Sequence, residues 1–252
     1  MASSPERIWT AALLIIGDEI LSGRTQDANL AYLAKWLQVQ GIRLKEVRVV
    51  TDEMDAIGNG VTALAAAYDY VFTTGGIGPT HDDITVDAIA AALGVPVVVH
   101  PRAREILAGY YGDKLTDARL RMARVPEGAE LIDNPRTMAP GIRIGNIFIM
   151  AGVPVITQGM LASLDGKLEG GLPVLSRSVG AWTQESAAAA TLLAVEKANP
   201  GVQIGSYPFW RQGKTGANFV LRSTSDDQLA AVAAQLMAAL QEAGIESVDG
   251  EI

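Results

Sequence analysis

The sequence predicts a two-part α/β protein: a three-layer domain with a mostly parallel sheet, followed by a smaller α+β module. Three observations carry this. Strand-like and helix-like patterns alternate through residues 8–99, the order that builds a parallel sheet with helices on both faces. The first strand, residues 8–16, is almost entirely apolar, as expected of a strand covered on both sides. After a glycine-rich stretch at 166–171 the rhythm changes to β-α-β-β-α-(β). The expected division is therefore 1–170 and 171–252.

The first strand ends in Gly17-Asp18-Glu19, at the carboxyl edge where open α/β sheets place ligands. A solvated acidic loop is the competing reading. Residues 27–40 read as a helix, with Leu30, Leu33, Ala34 and Leu37 at i, i+3, i+4, i+7 and Gly41 as the stop. A second strand at 42–51 runs into Asp52, which stands just past a strand end as Asp18 does. Residues 54–67 are helical in composition, weakened by Gly58 and Gly60. A buried strand at Tyr70-Val71-Phe72 follows, then a glycine turn, a helix at 85–93 with Thr85 as N-cap, and a short strand at 95–99. Residues 101–124 read as helical, with Arg102, Arg104, Arg119, Arg121 and Arg124 offered as sources of positive potential for a ligand, although a mostly solvated face is the favoured reading. His100, before Pro101, reads as structural.

Gly145-Asn146 predicts a hairpin between antiparallel strands, and Gly152-Val153-Pro154 a second glycine turn at a strand end, leading into a helix near 155–164. Residues 166–171 read as a linker. Beyond it come a strand at 173–181, a helix at 185–198, strands at 202–207 and 217–223, a helix opened by a capping box at Ser225, and a short strand at 245–248. That order suggests a ferredoxin-like module. Met237, Trp182 and Trp210 read as core or interface. The aromatic cluster at 206–211 either stacks on a base or packs on the first part, and packing is favoured.

The central stretch is Thr73-Thr74-Gly75-Gly76-Ile77-Gly78-Pro79-Thr80-His81-Asp82-Asp83-Ile84-Thr85. Three glycines between a strand and a helix start let consecutive N–H groups face one concavity, and the helix dipole adds positive potential. Asp82 and Asp83 at its lip would repel a phosphate unless a cation bridges them. The pattern points to a phosphate or pyrophosphate ligand with a divalent metal. A plain tight turn is the bland alternative, since this is neither GxGxxG nor a lysine-containing P-loop.

Composition narrows the field. The chain has 252 residues, 49% hydrophobic, a net charge of −8 and no cysteine. That charge argues against nucleic-acid binding. The absence of thiols removes disulfides, thiolate nucleophiles and zinc–thiolate sites. With no signal-peptide apolar core at the amino terminus and no bilayer-length run, a cytoplasmic protein without a membrane partner is expected.

The Thr73–Thr85 stretch resembles the signature of the molybdopterin-binding (MoaB/Mog-type) domain. With Gly17-Asp18-Glu19-Ile20-Leu21-Ser22-Gly23, Pro140-Gly141 and Gly152-Val153-Pro154, it most resembles the amino-terminal module of the competence/damage-inducible (CinA) family. The resemblance covers residues 8–165 and lacks an amidase domain. It implies a homo-oligomer binding a small phosphate-containing nucleotide or pterin, with molybdopterin as one ligand. For the CinA-like branch it implies hydrolysis of ADP-ribose or FAD pyrophosphate bonds with Mg²⁺ or another divalent metal. On matching positions, Thr73, Thr74, Gly75, Gly76, Gly78, Pro79, Gly152 and Pro154 would hold the ligand. Asp52, Asp82 and Asp83 would be catalytic, and Asp18, Glu19 and Asp83 would bind metal. His81 stands where such modules often carry arginine, and Ile156 where they carry an acid.

Overall fold

A computed structural model describes residues 7–252. The stretch 1–6, where the absence of a signal-peptide core was read, lies outside the described residues. The chain divides into two compact units after Gly171.

In the first unit, strand β1 (Trp9–Ile16) leads through the short helix α1 (Asp18–Leu21) to α2 (Asn29–Val39), β2 (Ile42–Val50), α3 (Met54–Ala67), β3 (Tyr70–Thr74) and α4 (Thr85–Leu93). Then come β4 (Val97–Val99), α5 (Pro101–Tyr111), α6 (Asp117–Leu120), β5 (Arg124–Pro126), β6 (Glu130–Ile132), β7 (Gly141–Ile144), β8 (Ile147–Met150) and α7 (Pro154–Ala162). The main sheet runs β2-β1-β3-β8-β7-β6. Its first four strands are mutually parallel, and β7 runs against β8 and β6.

Side-chain alternation along the apolar β1 makes the layers. Leu13 and Ile15 join Leu33, Trp36 and Leu37 of α2 and Met160 of α7 on one face. Leu14 and Ile16 join Ile57, Val61 and Leu64 of α3 and Ile89 of α4 on the other. Phe72 and Phe148 stack at 4.9 Å in the first layer, and burying each ring contributes about 1.5–3 kcal/mol.

The helix over 54–67 forms in full despite its glycines. A Cβ on Gly60 would lie 3.1 Å from Leu14, and one on Gly58 3.2 Å from Ala92, so the glycines set how closely α3 packs on β1 and α4. Thr85 is the first residue of α4 rather than its N-cap, because its hydroxyl donates inward to the Gly75 carbonyl at 2.9 Å. The strand expected at 95–99 does not join the parallel sheet: β4 pairs antiparallel with β5 in a separate ribbon. The helical reading of 101–124 breaks at Gly112 (φ +51°). His100 accepts from the Ala103 N–H and caps α5. The expected hairpin is present, with Gly145 at φ +57°.

The stretch 166–171 is tied down rather than a loose linker. Gly171 N–H donates to the Gly41 carbonyl at 3.1 Å, and the Tyr70 hydroxyl donates to the Glu169 carbonyl at 2.9 Å.

The second unit contains β9 (Leu175–Ala181), α8 (Glu185–Ala198), β10 (Gln203–Arg211), β11 (Lys214–Ser223), α9 (Asp226–Glu242) and β12 (Ser247–Asp249). Its antiparallel sheet runs β12-β9-β11-β10, the ferredoxin-like order. Both helices pack on one face around Val179, Phe219, Leu221 and Leu236. The cluster 206–211 extends β10 as strand. Ser225 caps α9 by accepting from Gln228 N–H, but the Gln228 amide turns to the Pro200 carbonyl, so the box is half made. Met237 packs on the core, whereas Trp182 and Trp210 are exposed, at 44% and 70%. Among the described residues no helix is long and apolar enough to cross a membrane.

Candidate functional site

Strands β2, β1, β3 and β8 are parallel neighbours, so their exit turns converge at one edge of the sheet. They border a cleft of about 670 Å³. Lining it are Gly17 and Glu19 after β1, Asp52 after β2, Gly75, Gly76, Ile77, Gly78, Pro79, Asp82 and Asp83 after β3, and Gly152, Val153 and Pro154 after β8.

The glycine turn is held by its neighbours. Gly75 (φ +109°) donates to the Met150 carbonyl at 3.2 Å, and a Cβ there would sit 2.1 Å from the Ile16 carbonyl oxygen. Gly76 (φ +66°) accepts from the Thr85 N–H, and its Cβ would sit 2.2 Å from Thr85 Oγ1. Both positions demand glycine by backbone angle and by space. The N–H groups of Gly76, Ile77 and Gly78 donate to no acceptor among the described residues. Three successive N–H groups without acceptors at a cleft wall are the kind of donor row that can receive an anion. On the β8 side, Asn29 of α2 donates to the Gly152 carbonyl at 2.8 Å and fixes that turn.

The carboxylates are arranged unequally. Asp52 Oδ2 accepts the Asp18 N–H at 2.9 Å, leaving Oδ1 without a partner among the described residues. Burial raises the Asp52 carboxyl above its usual value. The Asp18 N–H opposes that shift, and the negative charges of Asp18, Glu19 and Asp82 add to it. Asp83 Oδ2 accepts both the N–H and the hydroxyl of Thr80, again leaving Oδ1. The exposed Asp82 is held below its usual value by hydrogen bonding within the Thr80–Asp82 turn.

Other expected residues lie elsewhere. Asp18 is outside the cleft lining, because α1 begins at it and its N–H serves Asp52. Among the described residues no three His, Asp or Glu side chains converge as a metal set, so the trio Asp18, Glu19 and Asp83 is not assembled. Thr73 and Thr74 are buried in β3 beneath the turn, and their hydroxyls have no partner among the described residues. The His81 side chain is 99% exposed. Ile156 lines the cleft and packs on the core where the resemblance implies an acid.

Tyr111, Met122, Asn134 and Thr137 also line the cleft and were not legible as site residues, whereas Arg119, one of the five arginines offered as positive potential, lines it too. Arg119 is one of several arginines in a helical-looking segment that breaks at Gly112. Asn134 reads as a loop residue. In the fold it is 5% exposed, and its amide donates to Thr137 Oγ1 and the Ala139 carbonyl, each at 2.7 Å.

A family model described as "Probable molybdopterin binding domain" matches residues 12–168. The chain belongs to this molybdopterin-binding domain family. A second model, "FAD synthase, middle domain", matches residues 173–249. Within the family the chain is MoaB/Mog-type and CinA-like. It is 37% identical over 172 residues to a CinA-like protein of Citrifermentans bemidjiense, covering 64% of this chain and 42% of that one. It is 28% identical over 257 residues to a probable FAD synthase of Caenorhabditis elegans, covering 90% of this chain and 49% of that one. The solved structure of the protein CinA, of unknown function, from Thermoplasma acidophilum superposes with a TM-score of 0.60 at 32% identity, covering 64% of this chain and 98% of that one. The chain thus spans less than half the length of the two curated relatives named here, and 61% of a relative from Aeropyrum pernix.

Proposed function

We propose that the cleft binds a phosphate-containing nucleotide or pterin, and that the chain hydrolyses a pyrophosphate bond in an ADP-ribose-like or FAD-like dinucleotide. The observation that carries this is the row of unpaired N–H groups at Gly76, Ile77 and Gly78, set beside Asp52 and Asp83. The donors offer preorganised stabilisation of phosphate oxygens. Water attacks one phosphorus, a P–O bond forms, and the bond to the bridging oxygen breaks. One water proton passes to Asp52 and the other stays on the new phosphate monoester. The raised carboxyl of Asp52 suits a general base. Similarity to a probable FAD synthase supports a dinucleotide.

The donor set fits a divalent cation of the Mg²⁺ type, which takes one or two carboxylates and completes its shell with phosphate oxygens and water. With Asp52 as the base, Asp83 Oδ1 is the carboxylate atom in the lining that would hold the cation. Such a cation would neutralise charge on the bridged phosphates. In this reading the chain works in the cytoplasm as a homo-oligomer on a small molecule, without nucleic acid or membrane.

One observation favours a second reading, binding of molybdopterin without hydrolysis: apolar Ile156 occupies the wall where an acid is implied. Incubating metal-stripped protein with ADP-ribose, with and without Mg²⁺, and following AMP by chromatography separates the two. Metal-dependent AMP is expected. Its absence from folded protein leaves the pterin-binding reading.

A further inference from the structure

The cleft is lined by four carboxylates, from Glu19, Asp52, Asp82 and Asp83, against one cation among the described residues, Arg119. Its guanidinium lies 4.5 Å over the Tyr111 ring and donates to the Lys114 carbonyl. Among the described residues no carboxylate pairs with Arg119, whereas Arg124 is bound to Asp87 and Arg102 to Glu105. The ring and the carbonyl hold the guanidinium without neutralising it, so its remaining N–H groups stay available in a half-buried, otherwise acidic site. His81, exposed and outside the lining, does not supply this charge.

We propose that Arg119, oriented by Tyr111, is the phosphate-recognition residue of the cleft and sets its preference for phosphorylated ligands. This rests on the reading that the ligand carries phosphate. A planar fork of donors binds phosphate oxygens two at a time, which a lysine cannot reproduce. The Tyr111 ring lowers the cost of ordering that fork before the ligand arrives.

The test is equilibrium binding of ADP-ribose and of adenosine to the full chain, at two salt concentrations, with Arg119→Gln, Arg119→Lys, Tyr111→Leu and, outside the cleft, Arg102→Gln. Thermal melts confirm that each variant folds. The wild type should prefer ADP-ribose. Arg119→Gln should weaken ADP-ribose by roughly 10–100-fold, the worth of a charge-assisted contact, and leave adenosine unchanged. Arg119→Lys and Tyr111→Leu should fall between, and Arg102→Gln should match the wild type. Wild-type ADP-ribose affinity in Arg119→Gln, or equal losses for both ligands, overturns the assignment alone. A wild type that shows no preference for ADP-ribose overturns the phosphate reading and this assignment together.

Discussion

The backbone N–H of Asp18 donates to Asp52 Oδ2 at 2.9 Å, joining the exit turns of β1 and β2. The bond places a partly buried carboxyl among three other acids, and its folded value is raised. A raised folded value means that stability is fully present below the unfolded value and is lost as pH rises through the folded one. Asp52→Asn keeps an acceptor for Asp18 and does not titrate. Urea melts should show it more stable than the wild type at pH 7, with the difference vanishing near pH ~3. Turnover of ADP-ribose should fall by about 10²-fold or more, and the wild-type rate should drop as pH falls through the raised value.

Gly76→Ala should cost about 1–3 kcal/mol, because φ is +66° and the new methyl meets Thr85 Oγ1. Relieving that clash breaks the Thr85–Gly75 bond and should reduce ADP-ribose affinity. Gly23→Ala, at φ +73° in open space, carries backbone strain alone and should leave affinity unchanged. Chemical denaturation and titration of both variants check this.

Asp83→Ala removes the acceptor of two Thr80 donors at an exposed turn. The fold should survive, with a loss of about 1 kcal/mol, while metal-dependent AMP release is abolished. Full activity in a folded variant would remove Asp83 from the catalytic set.

The Thr73 and Thr74 hydroxyls are buried without partners among the described residues. Valine keeps their shape and removes the unsatisfied oxygen, so each Thr→Val change should be neutral or stabilising by up to about 1 kcal/mol. ADP-ribose affinity should stay at the wild-type level, since neither side chain lines the cleft. A tenfold loss of affinity would return them to the ligand set.

Local pattern alone determined much of this protein. The helices Met54–Ala67, Thr85–Leu93 and Glu185–Ala198 stand where composition and end signals place them, and β1 is buried on both faces as its apolar run requires. The glycine turn, the acids past β1 and β2 and the β-α-β-β-α-β succession of the second unit were equally legible, because each depends on neighbours in sequence. Other features were not. The run at 95–99 suits any partner, and only packing sent β4 to β5 instead of the parallel sheet. Asp18 and Glu19 are adjacent in sequence, yet only Glu19 lines the cleft, because α1 begins at Asp18. Arg119 was one of five arginines alike in sequence, and only the fold sets it over Tyr111 in the cleft lining. Strand order and the path of a long excursion follow from contacts between distant segments, and those contacts decide which charges share one cleft.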